Sequence, residues 1–141
     1  MGVFVTAVRP RWSDMDAFGH VNHARTVTLL EEARIALLGD EAARRHADGM
    51  MRGMVVARLA VDYHAPLVYT GGDVRVEISV RDLRAASFTL DYAVRADPAG
   101  PVAVNAETLM VPYNVDSARP RRLTDAERDF LAGWRAGSRS A

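Results

Sequence analysis

The chain has no cysteine among its 141 residues. A disulfide framework, a thiolate nucleophile and thiolate metal sites are therefore excluded. It has no excess charge of either sign, because 18 basic and 18 acidic side chains cancel. Nucleic-acid and membrane-surface partners usually leave a basic excess, so neither is expected. No apolar run approaches the roughly 18 residues that a membrane-spanning helix needs. The opening M-G-V-F-V-T-A-V-R lacks a basic segment followed by a long apolar stretch; no secretory signal and a cytoplasmic location are expected. There is no Gly-x-Ser-x-Gly elbow and no phosphate loop, which argues against an α/β-hydrolase and a nucleotidase. Internal repeats, low-complexity tracts and linkers are missing too. One domain over residues 1–141 follows, large enough to bury a core without staples.

What is present falls into alternating blocks. Residues 3–11 read as a strand with apolar side chains on both faces, as in a covered sheet, and Pro10 ends it or places it at an edge. After a loop over 12–20, a helix is predicted from about 22 to 38, with Asn22 as N-cap and Gly39 as its stop. Val27, Leu30, Ala33 or Arg34, and Leu37 recur at helical spacing and form its apolar face. A short polar helix is expected over 40–48. The second half changes period: 54–64, 74–83, 87–96 and 101–113 read as strands. In the second of these, Val74, Val76, Ile78 and Val80 face one way, and Arg75, Glu77, Ser79 and Arg81 the other. Turn residues at 70–73 and 97–100 separate them. Thr124-Asp125-Ala126-Glu127 is a capping box opening a last helix to about Arg135, with a frayed tail over 137–141. Hairpin-linked strands with one long central helix make an α+β fold, an antiparallel sheet wrapped around a helix.

The chemistry concentrates between Arg11 and Arg34. Asp14 and Asp16 stand just before a helix start, where unpaired N–H groups gather and the dipole is positive. A base beside polarising backbone amides is what acyl transfer requires. Asp16 also fits a loop-capping acid. In an extended loop the two carboxylates point to opposite sides, so Asp14 is read as supporting the turn. His20 and His23 lack a third histidine nearby, so no metal is expected. His20 reads either as a general acid/base or as a loop-orienting residue. Asn22 caps the helix and stands where it could touch substrate. Arg84 is read as a strand-end charge or a phosphate binder.

Asp14-Met15-Asp16-Ala17-Phe18-Gly19-His20-Val21-Asn22-His23, followed by Glu31-Glu32-Ala33-Arg34, resembles the hot-dog fold and, within it, the 4-hydroxybenzoyl-CoA thioesterase-like acyl-CoA thioesterases. The likeness extends through Asp62-Tyr63-His64-Ala65-Pro66-Leu67, Ser87-Phe88 and Ala106-Glu107-Thr108. It implies that Asp16 is the catalytic carboxylate, acting as base or nucleophile, and that the His23 backbone N–H polarises the thioester oxygen. Gly19 then supplies the tight turn beside the substrate, and His20, Asn22, Arg84 and Ser87 are implied as substrate-binding. It further implies an active site between two subunits of a dimer, often paired again into a tetramer, and no cofactor. The substrate would be an acyl-CoA thioester. Two departures stand out: Thr26 replaces a common tyrosine, and the basic cluster is thinned to Arg84, followed by Ala85 and Ala86. The latter leaves room for a carrier-protein thioester. A hydratase using His20 and Asp16, and a non-catalytic acyl-thioester binding module, are the alternatives.

Overall fold

Alternation of branched apolar with polar residues builds an antiparallel sheet in this computed structural model, which describes residues 2–137. Residues 138–141 of the expected tail lie outside the described residues. The strands are β1 (Phe4–Val8), β2 (Met54–Tyr63), β3 (Val74–Arg81), β4 (Phe88–Arg95) and β5 (Val104–Asn114), in the order β1-β3-β4-β5-β2. A two-residue strand, β6 (Arg119–Pro120), pairs with the end of β5 and was not anticipated from the sequence. The inner rows are Val74, Val76, Ile78 and Val80 on β3, Phe88, Leu90, Tyr92 and Val94 on β4, and Val104, Ala106, Thr108 and Met110 on β5, all buried. The strict alternation expected in β3 is realised.

The helix α1 (His23–Ile35) lies against this inner face with Thr26, Leu29, Leu30 and Ala33 buried. Its apolar stripe is turned slightly from the expected one. Thr26 takes the buried place, and Val27 stands half-exposed at the margin. The sheet curls around the helix, the arrangement that the hot-dog resemblance implies.

Three expectations need correction. Gly39 does not stop the helix: α1 continues through a π turn, Ala36–Glu41, into α2 (Ala42–Arg44). A Cβ on Gly39 would lie 3.3 Å from Met51 Cγ, so this glycine serves close packing inside a continuous helix. The reversal comes at His46, with φ of 63°, where Ala47 N–H donates to the Ala42 carbonyl. The polar helix over 40–48 is thus the end of the long one, held by Glu41 between Arg44 and Arg45. The Arg44 guanidinium beside Glu41 holds that carboxyl below its ordinary range. Finally, β1 is not apolar on two covered faces. It is an edge strand with Phe4 and Val8 inside and Val5 exposed, because only one face meets the helix.

The other edge, β2, pairs only with β5 and carries a register shift between Val56 and Arg58. Val55, Val56, Leu59 and Tyr63 along it are exposed. The C-terminal helix α3 (Asp125–Gly133) has the expected capping box. Thr124 Oγ1 accepts from Glu127 N–H, and Thr124 N–H donates to Glu127 Oε1 at 2.8 Å. It docks through Phe130, Leu131 and Trp134, and Phe4 meets the Trp134 ring edge-on at 5.4 Å. Among the described residues no helix is long and apolar enough to cross a membrane.

Candidate active site

The loop between β1 and α1 is shaped by its two aspartates. Asp14, 1% exposed, accepts from the Arg11 N–H at 2.7 Å, and its carbonyl accepts from Asn22 N–H at 2.8 Å. Asp14 therefore supports the turn, as read from the sequence. Asp16 is half-buried, and one carboxylate oxygen accepts from the N–H groups of Phe18 (2.8 Å) and His20 (3.1 Å). That oxygen does the local capping. The second oxygen takes no hydrogen bond among the described residues. Gly19 adopts φ of +76°, a backbone that L side chains rarely take, so the turn requires it.

The returning loop after β2 zips onto this one. Val21 N–H donates to the Leu67 carbonyl at 2.7 Å, and Tyr69 N–H donates to the Gly19 carbonyl. His20 bridges to Val68 through its backbone, and its ring lies 6.5 Å from the Phe18 ring. Asn22 caps α1, its side-chain oxygen accepting from Ala24 N–H at 2.9 Å. The His23 N–H, one residue earlier, meets no acceptor among the described residues. It is one of the donors that a helix start leaves open.

Beside it is a cavity of about 260 Å³ lined by His23, Thr26, Tyr63, His64, Pro66 and Val104. Asp16 does not line this cavity; it belongs to the adjoining loop. The sequence assigns Tyr63 no role of its own, and in the structure its hydroxyl donates to the His23 carbonyl at 2.6 Å. Burial pushes the Tyr63 phenol above its ordinary range, so it stays a donor well past neutrality. Period-two spacing places Tyr63 on the inner face at the end of β2, but its partner is 40 residues away in sequence.

Asp16, Gly19, His20, Asn22 and His23 therefore come together at one end of the sheet. Arg84 and Ser87 do not join them within one chain. They close the β3–β4 turn, with Arg84 N–H donating to the Ser87 carbonyl, and pack against the α3 region through Arg128 and Leu123. That turn lies at the opposite end of β4, about 25 Å away at 3.3 Å per residue. Among the described residues no three His, Asp or Glu side chains converge as metal ligands.

A curled antiparallel sheet around one long helix, with the helix start opening on a cavity at an unpaired strand edge, is the hot-dog fold. Residues 10–133 match the thioesterase-like superfamily, and the chain belongs to it. That membership makes thioester hydrolysis its class of reaction. Solved structures agree. A predicted thioesterase from Bacillus stearothermophilus is 27% identical, with 96% of this chain and 100% of that one covered and a TM-score of 0.78. A thioesterase from Thermus thermophilus, complexed with coenzyme A and Zn, is 29% identical over 92% of each chain, TM-score 0.75. A 1,4-dihydroxy-2-naphthoyl-CoA thioesterase from Synechocystis, 17% identical over 92% of this chain and 96% of its own, shares the fold at a TM-score of 0.76. No curated protein matches the chain.

Proposed function

We propose that this protein hydrolyses an acyl-CoA thioester to a carboxylic acid and free CoA, with Asp16 and the His23 N–H at the reaction centre. Water adds to the thioester carbon, a C–O bond forms, and the C–S bond then breaks. Asp16 takes a proton from the attacking water and returns it to the departing CoA sulfur, which leaves as the thiol; attack by the carboxylate itself is the other form of the same role. The His23 N–H and the positive end of α1 stabilise charge on the carbonyl oxygen. The observation that carries this reading is a pairing: a carboxylate oxygen and a helix-start amide, both without a partner among the described residues, stand in one loop beside a cavity. The coenzyme A held by the Thermus thermophilus relative supports CoA as the carrier.

A dimer completes the site in this reading. The β2 edge has free backbone groups and exposed Val55, Val56 and Leu59, and such an edge is a template for pairing with a second copy. Antiparallel pairing about a two-fold axis sets the Met54 end of one β2 beside the Tyr63 end of the other. It thereby brings the partner's Arg84–Ser87 turn toward the Asp16 loop that it cannot reach within its own chain.

Asp16→Asn tests the assignment, because the amide oxygen still accepts from Phe18 and His20 and the loop keeps its shape. The expected result is a fall in kcat of about a hundredfold or more on a panel of acyl-CoA thioesters, with unchanged thermal stability. Near-normal turnover by this variant would remove Asp16 from its role.

A further inference from the structure

Where this chain exposes arginines it mostly pairs them. On the outer face of the sheet Arg58, Arg75, Arg81 and Arg95 each meet a carboxylate, at 2.8 to 3.4 Å. Arg84, Arg122 and Arg128 meet none among the described residues, although Asp125 and Asp129 share α3 with Arg128.

The fold brings these three to one place. Leu123 N–H donates to the Ala85 carbonyl at 2.9 Å, and Arg128 Nη1 donates to the Arg84 carbonyl at 2.7 Å. The segment after β6 is thereby laid on the β3–β4 turn, where the sequence itself has only Arg84, followed by Ala85 and Ala86. Arg122 and Arg128 return to that turn the charge that its own residues lack. Arg121 adds none, because its guanidinium is bonded to both Glu127 oxygens. It instead lines a cavity of about 390 Å³ with Tyr113, Asn114, Asp116 and Thr124, and it donates to the Arg122 carbonyl at 3.1 Å. The unpaired charge thus borders a hollow rather than a flat surface.

Exposed guanidinium groups with no carboxylate partner suit phosphate, which they can grip through two parallel N–H bonds. The pantetheine arm of a CoA thioester holds its phosphates far from the reacting carbonyl, so a phosphate site belongs away from the Asp16 loop. This turn lies at the opposite end of the sheet from its own Asp16, and pairing of two β2 edges carries it toward the other subunit. We infer that Arg122 and Arg128 of one subunit hold the phosphates of the CoA whose thioester reacts at the partner's Asp16. This rests on the reaction and the dimer proposed above.

Calorimetry with free CoA and with pantetheine tests the site on the full-length protein, on Arg122→Gln, on Arg128→Gln and on the double variant. The unmodified protein should bind CoA about a hundredfold more tightly than pantetheine. Each single variant should weaken CoA about tenfold, the scale of one hydrogen bond to a charged group, and leave pantetheine unchanged. The Arg122 side chain makes no hydrogen bond among the described residues, so Arg122→Gln keeps the test decisive if Arg128→Gln unfolds. CoA bound no more tightly than pantetheine overturns the inference and leaves the patch to an acidic carrier protein. Unchanged CoA affinity in Arg122→Gln, or an equal loss for pantetheine, overturns it too. The crossing between subunits has its own readout. After subunit exchange with Asp16→Asn, the double variant should regain turnover at low acyl-CoA, since one site of each hybrid dimer then holds both parts. No gain overturns the crossing. Arginine-dependent CoA binding without acyl-CoA hydrolysis sinks only the reaction, and hydrolysis with unmoved CoA affinity in the variants sinks only the arginine site.

Discussion

The Tyr63 hydroxyl donates to the His23 carbonyl at 2.6 Å, fastening the last residue of β2 to the first residue of α1. The same peptide group is gripped from its other side, since its N–H, that of Ala24, is held by the Asn22 side chain. The first turn of α1 therefore has a fixed direction, and with it the His23 N–H. Tyr63→Phe removes one of the two grips without creating a cavity. Expected are a stability loss of about 1 kcal/mol and a several-fold lower kcat with little change in KM. Thermal melts and steady-state kinetics on one thioester check both.

The exposed β2 edge predicts a defined oligomeric consequence. Val55→Glu puts a charge on a strand whose own chain covers it poorly, so the isolated subunit keeps its fold. Sedimentation should report a dimer for the unmodified protein and a monomer for the variant, and thioester turnover should fall with the dimer. A variant that stays dimeric at normal activity would place the subunit contact elsewhere.

Glu127 governs acid stability. Burial alone would push its carboxyl up. The Arg121 guanidinium, bonded to both oxygens at 2.8 and 2.9 Å, and the Thr124 N–H outweigh burial and hold it below its ordinary range. A carboxylate depressed on folding stabilises the protein above its unfolded value of about 4.3, and that contribution is lost as pH falls through the lower folded value. Glu127→Gln is expected to cost on the order of 2–3 kcal/mol at neutral pH, leaving Arg121 poorly paired. The difference from the unmodified protein should shrink as pH drops below about 4. Urea melts across that pH range measure it.

Gly53 is a steric requirement. Its φ of −179° is ordinary extended backbone, but a Cβ there would run into the Tyr113 carbonyl oxygen, and a main-chain atom cannot rotate aside. Gly53→Ala should destabilise by about 2 kcal/mol, within the usual range for overpacking. Chemical denaturation at neutral pH is the measurement, and a neutral result would mean that β5 shifts freely at this point.

Features whose cause is local were legible in the sequence. Val74 to Val80 alternate because one face meets the helix and the other meets water, so the period of two survives intact. The capping box at Thr124 and the cap at Asn22 likewise need only residues within three positions. Features decided by distant partners were not legible. Gly39 looks like a helix stop until Met51, twelve residues on, is seen to need the space. Val5 looks like a covered residue because the run is apolar at every other position on both faces, and Pro10 allows a strand end as readily as the edge that β1 in fact occupies. The shift between Val56 and Arg58 has no local signature, and neither does the two-residue β6. In the site itself, the loop from Asp16 to His23 could be read because its turn and cap are contiguous. The separation of Arg84 from that loop follows from strand direction, which residue spacing does not reveal.

Met51 rests against Gly39 on one side and walls the cavity containing Arg34 on another. A methyl group added at position 39 is compatible with helical backbone, yet Met51 would have to give by a few tenths of an ångström. The room left for Met51, and with it one wall of that cavity, is thus set by the smallest residue of the helix, which does not itself line the cavity.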